Sequence, residues 1–281
     1  MRDAGNVRVL VPVAVLEGQV IPDQVIRLLS SATVVLLAYH EIPEQTAPEQ
    51  AREQFEPKAR TELEDLVEAF ETEGTAVETH LVFTHDSGQT IERTATEADC
   101  DAVLLSNPAP TLDRIIVPVK EHINIDTISK VVAGLGRGRD VDITLFHAVA
   151  NDEAVPDGEA LLDEVVNELT TLGLDRDKLS RSVVVAQKPL QALISGAEDH
   201  DVVVMGEEEP TIRGQLFGET SERVAEQTVG PVIVVRRPLE PDETDEVDEA
   251  DEAGEIDEAD ETDEIDEADE TDEIDEADNT G

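Results

Sequence analysis

The chain has 281 residues, enough for one large domain or two of ordinary size, and carries 68 Asp and Glu against 20 Lys and Arg. Twenty-five of the acids lie in residues 239–281, which hold no base, so the rest of the chain still has 43 acids against 20 bases. Direct binding to nucleic acid or to an anionic membrane is excluded, since both need clustered Lys and Arg. No apolar run approaches the ~20 residues of a spanning helix, and a single cysteine, Cys100, rules out an internal disulfide.

Lysine is confined to Lys58, Lys120, Lys130, Lys178 and Lys188, and there is no Trp. This composition predicts a halophilic protein working in multimolar salt, where the Debye length is roughly 2–3 Å and like charges repel weakly. At low salt the same charge would destabilise the compact state. The first residues, MRDAGNVRVL, lead straight into a strand without the apolar region of a signal peptide, which predicts a cytoplasmic location.

In chain order the predicted elements form two copies of one pattern. VRVLVPVA (Val7–Ala14) and VVLLAYHEIP (Val34–Pro43) read as buried parallel strands. KARTELEDLVEAFETEG (Lys58–Gly74) reads as a helix with a terminal glycine, and AVETHLVF (Ala76–Phe83) as a third strand. ATEADCDAVLLSNP (Ala95–Pro108) supplies a helix end, an acidic turn and a fourth strand. Cys100, in that turn, has no adjacent base and reads as a packed residue rather than a nucleophile.

The second copy follows through DRIIVPVK (Asp113–Lys120), ITLFHAVAND (Ile143–Asp152), GEALLDEVVNELTTLG (Gly158–Gly173), LSRSVVVA (Leu179–Ala186) and GAEDHDVVVMGEEEP (Gly196–Pro210). Only this copy continues, through a helix GQLFGETSERVAEQT to a closing strand GPVIVVRR. Alternation at this spacing predicts parallel βαβ units. The fold class is therefore α/β, with doubly wound domains at 1–110 and 111–238, the first lacking the last helix and strand. Residues 239–281, with T, I or A at every third place, cannot bury enough surface to order themselves and read as a disordered, solvating tail.

Met205–Arg237 reads as strand end, glycine turn, helix and strand, a place where an α/β fold can hold a phosphate. Here the turn carries Glu207, Glu208, Glu209 and Glu219. A carboxylate about 5 Å from a phosphate repels it by roughly 3 kcal/mol at an effective dielectric near 20, about two decades in affinity. Lys120, His122, His147 and Glu207 are predicted to gather at the strand ends. They form either a small-anion site anchored by Lys120 or an ion pair between Lys120 and the Glu207–Glu209 run. No HxH, HExxH or CxxC spacing supports a metal, and no serine, Ser221 included, has a base beside it in sequence. Arg223 is expected to pair with nearby acids, and Arg236 and Arg237 to solvate an edge.

Residues 7–237 resemble a tandem universal stress protein of haloarchaeal type, through the VPV strand ends, the Met205-Gly206 turn, LFGETSERV and GPVIVVRR. The resemblance implies Rossmann-like domains of the adenine nucleotide alpha hydrolase type, with any ligand at the C-terminal strand ends and dimer-like pairing through the last strand. Many members of that family bind ATP, with an aspartate ending the first strand; Ala14 and Lys120 stand there in this chain. Their phosphate loop resembles Gly-x-x-Gly, nine residues, then Gly-Ser/Thr. Gly206 and Gly218 match its first and third glycines, Glu209 stands at the second, and Glu219, or on strict spacing Thr220, at the hydroxyl. The degenerate nucleotide site thus comprises Val119, Lys120, Ala148, Gly206, Gly218, Glu219 and Thr220.

The resulting expectation is a non-catalytic stress-response module without a cofactor or a metal. It would act through a homodimer or intramolecular domain pairing and an unidentified protein partner, without nucleic acid or stable membrane insertion. A nucleotide (ATP or AMP) switch in the second domain and a soluble regulator of a membrane transporter are the alternatives.

Overall fold

The computed structural model describes residues 7–105, 111–120, 124–207 and 219–237. The first half runs β1 (Arg8–Ala14), α1 (Asp23–Leu28), β2 (Thr33–Glu41), α2 (Pro48–Thr72), β3 (Ala76–Thr84), α3 (Ser87–Glu97) and β4 (Ala102–Leu105). The second runs β5 (Arg114–Pro118), α4 (Ile125–Gly136), β6 (Asp142–Val149), α5 (Val155–Thr171), β7 (Leu179–Val185), α6 (Pro189–Ala197), β8 (Val202–Gly206), α7 (Glu219–Gln227) and β9 (Val232–Val235). The expected acidic tail at 239–281 lies outside the described residues.

All strands among the described residues join one nine-stranded sheet in the order β3-β2-β1-β4-β9-β8-β5-β6-β7. Every neighbouring pair is parallel except β4 with β9, which run antiparallel from Ala102 opposite Val235 to Leu105 opposite Val232. The first half therefore has four strands and the second five. β9 closes both: it continues β8 on one side and borders β4 on the other. Both hydrogen-bonding edges of this closing strand are used inside the chain, so the pairing through it that the structure contains is between the two halves of one chain.

The duplication extends to individual hydrogen bonds. Asp101 Oδ2 accepts from the Arg8 N–H at 2.8 Å, and Asp201 Oδ2 from the Arg114 N–H at 2.9 Å. In return the Asp101 N–H donates to Arg8 O and the Asp201 N–H to Arg114 O. Each clasp ties the foot of a first strand to the foot of the fourth, satisfying backbone groups that a strand end would otherwise leave open.

One face of the sheet carries α1, α2, α4 and α5 over a single continuous core, from Val25 and Leu36 in the first half to Leu145 and Leu162 in the second. The other face is divided, with α3 covering Leu10, Val35 and Val103, and α6 and α7 covering Ile116, Val203 and Val234. The four side chains of β9 alternate between these faces, Ile233 and Val235 into the continuous core, Val232 and Val234 into the other. At about 1.5–3 kcal/mol per buried aliphatic side chain, β9 alone contributes roughly 6–12 kcal/mol before entropy is counted. That rivals the net stability of a typical domain.

The start of one helix differs from the sequence reading. α2 starts at Pro48 rather than Lys58 and passes through Pro57. Its early turns bury only Ala51 and Ala59, so the apolar stripe there is too thin to register as a period. The i,i+4 pairs Arg52–Glu56 and Arg60–Glu56 support the added turns. α2 and α5 both end before glycines in the left-handed region, Gly74 (φ 81°) and Gly173 (φ 97°).

Candidate functional site

In the second half the crossovers from β5 and to β8 lie on opposite faces, which opens a crevice at the C-terminal ends of these adjacent strands. Val119, Lys120, Ala148 and Gly206 sit there, and Glu219, described by its backbone, opens α7 with Thr220 behind it. Gly218, Glu208, Glu209 and His122 lie outside the described residues.

Most polar groups at this mouth are already used by the chain. The Val119 N–H donates to Phe146 O at 2.8 Å, and Val119 O accepts from His147 Nδ1 at 2.7 Å. That bond places the His147 proton on Nδ1 and lays the ring against α5. There a Cβ on Gly158 would come within 2.9 Å of His147 Cδ2. His147 thus positions the β5 end and does not reach across to Lys120. Ala148 points to the opposite face and packs in the α6 and α7 core.

Gly206 is not in the left-handed region. Its missing side chain instead lets α4 approach β8, since a Cβ would lie 3.1 Å from Ile128 Cδ1. Packing, rather than an unusual backbone turn, explains this glycine. Glu207 follows and turns toward β9: its N–H donates to Val235 O at 2.7 Å, and its Oε2 accepts from the Arg237 N–H at 3.1 Å. Burial pushes the Glu207 carboxyl above its ordinary pKa, offset in part by the Arg237 N–H and by the charges of Arg236 and Arg237. The ion pair of Lys120 with the Glu207–Glu209 run is not made at Glu207, and Glu208 and Glu209 lie outside the described residues. Among the described residues Lys120 is exposed and makes no ion pair.

Arg236 does not solvate an edge. Its N–H donates to Asp101 O at 2.9 Å, its Nη2 to Thr96 Oγ1 at 2.9 Å, and its C=O accepts from Asn124 Nδ2 at 3.0 Å. It fastens α3 and β4 of the first half to β9 and α4 of the second. Ser221 is buried in α7, and Arg223 is exposed on the same helix.

The first-half mouth is closed by its own side chains. Gln19 Oε1 accepts from the Ala14 N–H at 2.9 Å, and Ser87 Oγ donates to Glu41 Oε2 at 2.9 Å. His40 lies edge-on to Phe55 and Phe83, with ring centroids 5.3 and 6.1 Å away. Its position is one of packing. Among the described residues no three His, Cys, Asp or Glu side chains are grouped to hold a metal. Burial pushes the Cys100 thiol up to about 12, so it is neither a thiolate nor a nucleophile at neutral pH.

Two open cavities lie elsewhere. One of about 380 Å³ sits beside Arg8, Glu78 and His80, and one of about 480 Å³ lies between α6 and α7 beside Lys188, Leu190 and Arg223. Among the described residues neither is lined by a predicted site residue. Sequence reasoning missed the Asp101 and Asp201 clasps. Their signal was a similar separation in the two copies, 93 residues from Arg8 to Asp101 and 87 from Arg114 to Asp201.

No protein-family model matches the chain, and no curated protein matches it. Solved structures do. A universal stress protein from Archaeoglobus fulgidus DSM 4304 superposes with a TM-score of 0.60 at 13% identity, over 82% of this chain and 96% of its own. The fold is that of universal stress proteins. A functionally unknown protein from Pseudomonas aeruginosa PAO1 follows, with a TM-score of 0.50 at 16% identity over 82% of this chain and 92% of its own. A universal stress protein solved in complex with cAMP matches 46% of this chain and 98% of its own, at 19% identity and a TM-score of 0.38, too low to bear on this chain's chemistry. At these identities the likeness to universal stress proteins is one of fold alone, and any function is argued from the site. No helix among the described residues is long and apolar enough to cross a membrane.

Proposed function

We propose that this chain is a non-catalytic regulatory module of the universal stress protein type, cytoplasmic and adapted to high salt, which does not bind ATP in that family's usual mode. Two domains, 1–110 and 111–238, act as a built-in pair and present a composite surface to a protein partner. The observation that carries the reading is the turn of Glu207 onto the Arg237 N–H. It leaves a carboxylate and the mouth's own hydrogen bonds where a nucleotide would need free donors. Val119 supports the reading, since both of its backbone groups are engaged, as does Lys120, which replaces the expected aspartate. An enzyme would need a nucleophile or base in reach of an open site, and neither Cys100 nor His147 serves.

Calorimetric titration of the full chain with ATP, ADP and AMP in about 2–3 M KCl, which screens the surface charge, tests this. No heat and no thermal shift at millimolar nucleotide is the expected result. Micromolar binding that a Gly206→Val substitution abolishes would overturn it and make the second half a nucleotide switch.

A further inference from the structure

Because β9 is bonded on both sides, the sheet has only two open edges among the described strands, β3 and β7. They differ sharply in charge. Residues 61–79, which lead through α2 into β3, carry seven acids and no base. Residues 178–197, spanning β7 and α6, carry Lys178, Arg181 and Lys188 and no acid at all, in a chain with 68 acids. Within that stretch Lys178 is paired with Asp140 and Asp142, and Arg181 with Asp163. The β7 edge is therefore close to neutral on an otherwise strongly negative body.

The usual protections of an edge are also missing from β7, which has no Pro and no unpaired charge along Leu179–Val185. It ends in three valines, and Val185 is 43% exposed, one of three large apolar residues so exposed among the described residues. The Ala186 N–H donates inward to Val149 O. By strand alternation Ser180, Ser182 and Val184 also bond to β6, and Leu179, Arg181, Val183 and Val185 present their backbone N–H and C=O groups outward.

We propose that β7 is a pairing surface for a second copy of this chain, joined antiparallel about a twofold axis at Ser182. In this register Arg181 meets Val183 of the second copy, and Leu179 meets its Val185. Both are hydrogen-bonded pairs built from the outward-facing groups. Ser182 faces its own twin as a non-hydrogen-bonded pair with Cα atoms ~4.5 Å apart. No like charges stand directly opposite each other. An isologous contact of this kind closes as a dimer instead of growing into a fibre. Such pairing strengthens with salt, which screens the repulsion between the two acidic bodies.

Sedimentation velocity of the full chain in about 2 M KCl, a salt at which charge is screened, is expected to give twice the 30.5 kDa chain mass. Val185→Asp should return it to a monomer that still unfolds cooperatively, while Thr79→Asp on β3 leaves the dimer intact. Ser182→Cys should form a disulfide-linked dimer on mild oxidation, since the native Cys100 is buried. A wild-type monomer at about 100 µM, well above the micromolar range of specific pairs, would overturn the proposal. So would a dimer that survives Val185→Asp, or a Ser182→Cys variant that does not cross-link.

Discussion

The two halves of the sheet carry the same strand clasps and the same order of elements, yet they end differently. The first stops at β4 and has no closing strand of its own; the second continues through α7 to β9. β9 supplies both, parallel to one neighbour and antiparallel to the other. A deletion in one repeat is thus tolerated when the other repeat's last strand is buried on both faces and can offer a second hydrogen-bonding edge. What the chain gains is a single body. What it loses is a free closing strand for pairing with another copy.

If β9 serves both halves, breaking its seat should unfold both. A Cβ at Gly230, just before β9, would stand 1.9 Å from Asp201 O, a backbone atom that cannot move aside. Gly230→Ala is therefore expected to cost more than about 4 kcal/mol. Hydrogen exchange should then rise in β2 as well as in β6; loss of protection in β6 alone would mean that the halves are independent. Gly134→Val probes the other joint, where α4 meets β1. A Cβ there would lie 2.7 Å from Val7 Cγ2, and the strain should cost about 1–3 kcal/mol in denaturant unfolding.

The clasps sharpen the comparison further. The Asp201 carboxylate accepts from Thr111 Oγ1 and from the N–H groups of Asp113 and Arg114, whereas the Asp101 carboxylate accepts from Arg8. Asp201→Ala should cost roughly 2–3 kcal/mol and Asp101→Ala about 1 kcal/mol by the same unfolding assay, in proportion to the donors each leaves open.

The smallest effects are pH-dependent and of opposite sign. In the first half the Arg8 guanidinium, hydrogen-bonded to both Glu78 oxygens at 2.7 and 2.8 Å, holds that carboxyl below the ordinary range. Its stabilisation is present above the unfolded pKa and lost as pH falls through the lower folded value. Glu78 is half exposed, so solvent screening limits this to about 0.5 kcal/mol. In the second half Glu207 is pushed upward by burial. Its contribution is fullest below the unfolded pKa and is lost as pH rises through the raised folded value. Melting temperatures of Glu78→Gln and Glu207→Gln across pH 3–8 should therefore diverge toward neutrality, the first falling and the second rising relative to the parent.

Much of the fold could be read from residues. The paired VPV runs, the β-branched strands and the terminal glycines Gly74 and Gly173 each impose a local geometry, so the strands and their parallel βαβ order followed directly. The missing helix and strand of the first copy were legible for the same reason, as absent text. The start of α2 was not, because alanine packing at Ala51 and Ala59 leaves no strong period. At the candidate site, the identities of Lys120, Gly206 and Glu207 were visible, but their directions were not. Whether Glu207 meets Lys120 or Arg237 depends on how close β9 lies to β8, a distance between segments 30 residues apart.

Sequence alone determined which segments become strands and helices, because side-chain periodicity and glycine placement act within a few residues. Tertiary structure alone decided that one closing strand completes two half-sheets, and which way the side chains at the strand ends turn. Hydrogen-bonding edges and buried polar groups are satisfied across the whole sheet, and no local pattern records which distant partner arrives first.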